Sequence, residues 1–100
     1  MSLEPFTKQP SESYPIGFEY YGRTPFGALP VTATASAHNI TDNVAANAVL
    51  QSTTGLIQGT TVLVGVQGGV SGKSYKITVQ TRLSDGSVLE SERTMVVAET

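Results

Sequence analysis

The sequence predicts an all-β chain, an antiparallel sandwich of about six or seven strands. Three observations predict it. "TTVLVGVQ" alternates with period two and sets Val62, Val64 and Val66 on one face. "SYKITVQTRL" does the same with Tyr75, Ile77, Val79 and Thr81, and leaves Lys76, Thr78, Gln80 and Arg82 on the other face. One wet face per sheet is the habit of antiparallel strands. Turn chemistry separates these runs: a glycine-rich stretch before Tyr75 and "SDGS" after Leu83.

The chain begins with "MSL", which reads as an expression leader, and residues 4–13, "EPFTKQPSES", mix Pro, Ser and charge with no period. They are expected to form an extended arm, with the sandwich domain spanning 14–100. In "YPIGFEYYGRTPFG", Ile16, Phe18 and Tyr20 alternate as a short edge strand, where Pro15 is tolerated at the start. "LPVTATASAH" places Val31, Ala33, Ala35 and Ala37 on one face, unusually small for a buried surface. Such a face lets the opposite sheet approach or leaves room for a large neighbour such as Phe18 or Tyr75.

"TDNVAANAVLQST" fits two structures. Thr41 or Asp42 could cap a short helix carrying Val44, Ala45, Ala48 and Val49. Alternatively Ala46, Ala48 and Leu50 form one face of a strand near 46–51. The asparagines and the Thr-rich exit favour the strand.

The last hairpin has two registers. A two-residue Asp85-Gly86 loop would set Val79 opposite Glu92 and bury that carboxylate, at a cost of several kcal/mol. One more loop residue, with Gly86 in the left-handed position of a bulge, turns Glu92 to water and brings Arg93 and Met95 inward. The bulged loop is the expected one.

Composition narrows function. Six Lys or Arg stand against eight Asp or Glu, for a net charge of -2, and the cations are scattered. Without a basic tract, nucleic acid is not an expected partner. There is no cysteine, which removes disulfides, thiolate catalysis and zinc–sulfur sites. No apolar run approaches the ~20 residues of a membrane-spanning helix.

"GVQGGVSGKSYKI" holds Gly72-Lys73-Ser74 and invites comparison with a phosphate-binding loop. That loop needs four residues between its first glycine and Gly-Lys, which here falls on Gln67. It also hands over to a helix, whereas the run after Ser74 alternates as a strand. The segment is a strand connection.

"SGKSYKITV" resembles the F strand of immunoglobulin-like and fibronectin-type sandwiches, in which a tyrosine near the strand start bonds back to the preceding turn. Tyr75 matches that tyrosine, and Ile77 stands where antibody domains place a cysteine. The chain lacks that cysteine and the core tryptophan, so it is not an antibody domain. The stretch "GTTVLVGVQGGVSGKSYKITVQTRLSDGSVLESERTMVV" resembles small immunoglobulin-like virion proteins of tailed bacteriophages and prophages, of the fibre–tail adaptor type. The matching positions are Gly59, Thr60, Thr61, Gly68, Gly69, Gly72, Tyr75, Ser84, Asp85 and Gly86. Upstream, the aromatic cluster and acidic residue are present, while the prolines and glycine depart from the pattern. The resemblance implies an immunoglobulin-like antiparallel β-sandwich and a non-enzymatic structural role in a phage tail. Its partners would be other tail or fibre proteins, or copies of itself, and its location the virion or the bacterial cytoplasm during assembly. An adhesion or carbohydrate-binding module of a bacterial surface protein is the alternative.

No cofactor or metal is expected. Ser36, His38 and Asp42 are sequence neighbours only, and His38 reads as a turn residue. Glu90 and Glu92 share a strand face as a solvated pair rather than a cation site. Asn39-Ile40-Thr41 fits a glycosylation acceptor, which matters only in a eukaryotic secretory route. The candidate interface is the aromatic segment: Tyr14, Phe18, Tyr20, Tyr21, Arg23 and Phe26, residue types that protein interfaces favour. Phe18 and Tyr20 also suit the core.

Overall fold

A computed structural model describes residues 4–20 and 27–99. Among them eight strands form two sheets: β1 (Phe6–Lys8), β2 (Tyr14–Glu19), β3 (Pro30–Asn39), β4 (Val44–Ala45), β5 (Leu56–Gln58), β6 (Thr61–Val66), β7 (Ser74–Leu83) and β8 (Val88–Val97). The five-stranded sheet runs β1-β8-β7-β3-β4 and the three-stranded sheet β2-β6-β5. β1 pairs parallel to β8, and the other named strand pairs are antiparallel. The body is elongated, 43 × 23 × 21 Å. The all-β sandwich expected from periodicity is present. Its strand number rises to eight because β1, β4 and β5 are only two or three residues long.

The core is the meeting of two alternating faces. Ile16, Phe18, Val62, Val64 and Val66 come from β2 and β6, joined by Tyr20 just past the end of β2. Ala33, Ala35, Ala37, Tyr75, Ile77, Val79, Met95 and Val97 come from β3, β7 and β8. The alanines of β3 are the thin side of this packing, while Phe18, Tyr20 and Tyr75 supply bulk. Two polar side chains meet in the interior: the Thr81 hydroxyl donates to the Tyr20 phenol oxygen at 3.0 Å. An unpaired hydroxyl there would cost more than the bond contributes.

The β7–β8 hairpin takes the bulged register. Ile77 faces Arg93, Val79 faces Ser91 and Tyr75 faces Met95. The Gly86 N–H donates to the Leu83 carbonyl at 3.0 Å, and Gly86 has φ 91. Glu92 thereby leaves the core for the outer face, where it lies 3.6 Å from Lys76.

Three expectations are corrected. Val31 is exposed, because a register irregularity between Pro30 and Thr32 gives the inner position to Pro30. No strand spans 46–51: β4 is Val44–Ala45, and a 3-10 turn over Asn47–Val49 follows. Asn47 explains the break, since its Oδ1 accepts the Ala37 N–H at 2.8 Å and replaces a ladder bond with a side-chain one. Finally, the arm is not free along its length, because Phe6–Lys8 joins the five-stranded sheet beside β8. Periodicity cannot register a strand of three residues whose partner lies at the far end of the chain.

Candidate functional site

The glycine-rich loop settles its own chemistry through its amides. Gly68, Gly69 and Gly72 all have positive φ. The Val70 N–H donates to the Tyr75 hydroxyl at 3.0 Å, the tyrosine corner that the resemblance to an immunoglobulin-like F strand implies. The Gly72 N–H donates to the Val97 carbonyl at 2.8 Å and the Lys73 N–H to the Val70 carbonyl at 3.0 Å. The Ser74 N–H donates to Thr41 Oγ1 at 2.9 Å. Four of the amides that would wrap a phosphate, those of Val70, Gly72, Lys73 and Ser74, are therefore engaged, and β7 rather than a helix begins at Ser74. The Lys73 ammonium lies 2.9 Å from Asp42. That hydrogen bond, with the nearby positive charge and a further bond from Asn39, holds the Asp42 carboxyl below its ordinary range.

The Ser36, His38 and Asp42 neighbours do not assemble. His38 Nε2 lies 2.9 Å from Asn43 Oδ1, while Asp42 turns to Lys73 and Asn39. Asn39 is buried, and its Oδ1 accepts the N–H groups of Thr41 and Asp42. Glu90 accepts from Gln80 Nε2 at 3.4 Å. Among the described residues no three His, Asp or Glu side chains converge as a metal site, and no helix is long and apolar enough to cross a membrane.

The N-terminal aromatic segment divides. Phe18 and Tyr20 have no exposed surface and belong to the core, which corrects their assignment to an interface. The alternation that runs along β2 and one residue past its end turns both rings toward the facing sheet. Tyr14 is half-buried, and its ring packs on Phe6 at 6.3 Å between centroids, tilted by 57°. Burial raises the Tyr14 phenol above its ordinary value, with Glu12 adding to the rise and Arg93 opposing it. Tyr21, Arg23 and Phe26 lie outside the described residues.

Around Tyr14 the structure assembles groups that sequence reasoning missed. The Arg93 guanidinium sits 4.7 Å from the Phe6 ring centroid, and its Nε donates to the Glu4 carbonyl at 2.8 Å. An arginine at an inner position of β8 is accommodated because its charge reaches the sandwich margin and stacks there. Lys8 is wholly buried, and its ammonium donates to the carbonyls of Gln9, Pro10 and Gly68. Burial lowers the Lys8 pKa, and the Glu12 charge opposes that. A single lysine in a polar stretch carries no pattern that would foretell this, whereas Arg93 at an inner position was a usable signal.

The edge of β2 is blunted. Tyr20 N–H donates to the Thr60 carbonyl at 2.9 Å, so by alternation the N–H positions of Pro15, Gly17 and Glu19 face away from β6. Pro15 has no N–H to offer, and the Glu19 carboxylate is held by the hydroxyls of Thr60 and Thr61. Such an edge discourages strand addition.

Comparison with known protein families, with curated proteins and with solved structures finds no match.

Proposed function

We propose that this chain is a non-enzymatic structural module of a phage or prophage tail, an immunoglobulin-like sandwich that docks other tail or fibre proteins. The observation that carries the reading is the place of the motif residues. Gly68, Gly69 and Gly72 form the turn that Tyr75 closes, and Asp85 and Gly86 shape the hairpin through the Asp85–Ser87 bond and a positive φ. The strand order supports the immunoglobulin-like reading. β2-β6-β5 in one sheet and β3-β7-β8 in the other follow the order of strands B, E, D and C, F, G in that architecture. The adhesion or carbohydrate alternative has less support. Among the described residues the aromatic rings are buried or packed as the Phe6–Tyr14 pair, so none lies on an open sheet face to line a sugar site.

Docking through the N-terminal segment would use side-chain insertion rather than strand addition, given the blunted edge of β2. Tyr21, Arg23 and Phe26 are its proposed anchors, with Tyr14 at the margin. Tyr21→Ala and Phe26→Ala should remove the chain from purified particles, or halt tail assembly, while leaving the melting temperature nearly unchanged. Antibody labelling of particles by electron microscopy reads this directly. Particles that never contain the chain would overturn the tail assignment. Substitutions that unfold the domain would return those rings to the core.

A further inference from the structure

The outer face of the five-stranded sheet holds a feature that neither the core nor the N-terminal segment uses. The irregularity at the start of β3 re-aims Val31 from the interior to solvent, as bulges do beside functional surfaces. Val31 and Val88 are 55% and 53% exposed. Thr32, the chain neighbour of Val31, faces Arg82, and Arg82 faces Val88, so one row of the sheet runs from beside Val31 to Val88. Thr32, Thr34, Gln80, Arg82 and Val88 line a groove of about 170 Å³.

Arg82 distinguishes this groove from ordinary surface. Lys8 is capped by carbonyls, Lys73 pairs with Asp42, Lys76 with Glu92, and Arg93 with the Phe6 ring and the Glu4 carbonyl. Among the described residues Arg82 alone of the cations has no such partner. A guanidinium fork matches a carboxylate in two parallel hydrogen bonds. The groove falls short of the roughly 300 Å³ from which small-molecule sites begin, so it suits one inserted side chain better than a free ligand. Glu90 and Glu92 lie in the successive rows of this face beyond the Arg82–Val88 row. An extended polyanion such as nucleic acid would meet both, whereas a single carboxylate is taken in the Arg82 row alone.

We propose that this face docks a protein segment presenting a carboxylate side chain flanked by aliphatic residues, the carboxylate on Arg82 and the aliphatic groups on Val31 and Val88. The surface lies apart from the N-terminal segment and goes beyond the docking proposed there, so each is tested by its own substitutions.

The test is titration of the isotope-labelled full chain, followed by amide resonances, with the capped peptide acetyl-Val-Val-Glu-Val-amide. The same peptide with Gln or Lys in place of Glu serves as comparison. The Glu peptide is expected to move the amides of Thr32, Thr34, Gln80 and Arg82 saturably, and the Lys peptide to leave them in place. Arg82→Gln should weaken the Glu peptide about tenfold, the loss of one charge-assisted interaction. Val31→Thr should weaken both the Glu and Gln peptides while preserving their ratio. Unmoved amides at millimolar Glu peptide would overturn the proposal, as would equal responses to Glu and Gln.

Discussion

Tyr75 does two things with one side chain. Its ring is buried in the core, and its hydroxyl accepts the Val70 N–H outside it, so strand β7 and the preceding loop are held to each other. Gly69 makes room for this: a Cβ there would meet Val97 Cγ2 at 2.7 Å and the Tyr75 ring at 3.5 Å. Tyr75→Phe keeps the ring and removes only the acceptor, and should cost about 0.5–1.5 kcal/mol by urea denaturation. A loss of several kcal/mol would mean that the ring itself had moved. The corner was legible through the likeness of "SGKSYKITV" to an immunoglobulin-like F strand, which alternation alone does not imply. Thr81 was legible only as a hydroxyl on an apolar face; its partner Tyr20 lies 61 residues away and no spacing connects them.

At the scale of elements, legibility followed length and the cost of being wrong. β6 and β7 alternate over six and ten residues, and their faces came out as periodicity requires. The hairpin register was decided by an energy rather than a pattern, since burying Glu92 costs more than placing Arg93 at a margin. The 42–51 segment resisted because alanine, asparagine and valine at those positions satisfy both periods, and the Asn47–Ala37 bond that breaks the strand is a tertiary contact. The bulge at Val31 likewise shifts a face without any mark such as glycine. Gly86 carries the hairpin's own prediction. It has φ 91 and open space around a Cβ, so Gly86→Ala pays only the left-handed backbone cost, about 1–2 kcal/mol. Gly86→Asn should lose less, because asparagine visits that region more readily. Equal losses in urea midpoints would indicate that the turn rearranges instead.

At the scale of the molecule, β1 lies against β8 near the other end of the chain, and the buried Lys8 ammonium ties it to the Gly68 carbonyl. Stability depends on pH at both extremes, through different groups. Asp42 is held below its ordinary 3.8 chiefly by its Lys73 hydrogen bond, and Asp85 chiefly by hydrogen bonds from Ser87. Their contribution is whole above 3.8 and is lost as pH falls through the depressed values. Lys8 works in the opposite sense. Burial sets its folded pKa below the ordinary 10.5, so in the window between the two the unfolded chain binds more protons, and stability rises with pH. Tyr14 opposes this from 10.0 upward, where the folded chain keeps the phenol proton longer than the unfolded one. Urea denaturation at a series of pH values should therefore show a Lys8 contribution that climbs toward 10.5 and a Tyr14 contribution that falls above 10.0. Lys8→Met removes the titrating group and should flatten the climb, leaving the acid limb set by Asp42 and Asp85 in place. A climb that survives in Lys8→Met would show that the ammonium of Lys8 is not its source, and the burial of β1 would then have no part in the alkaline response.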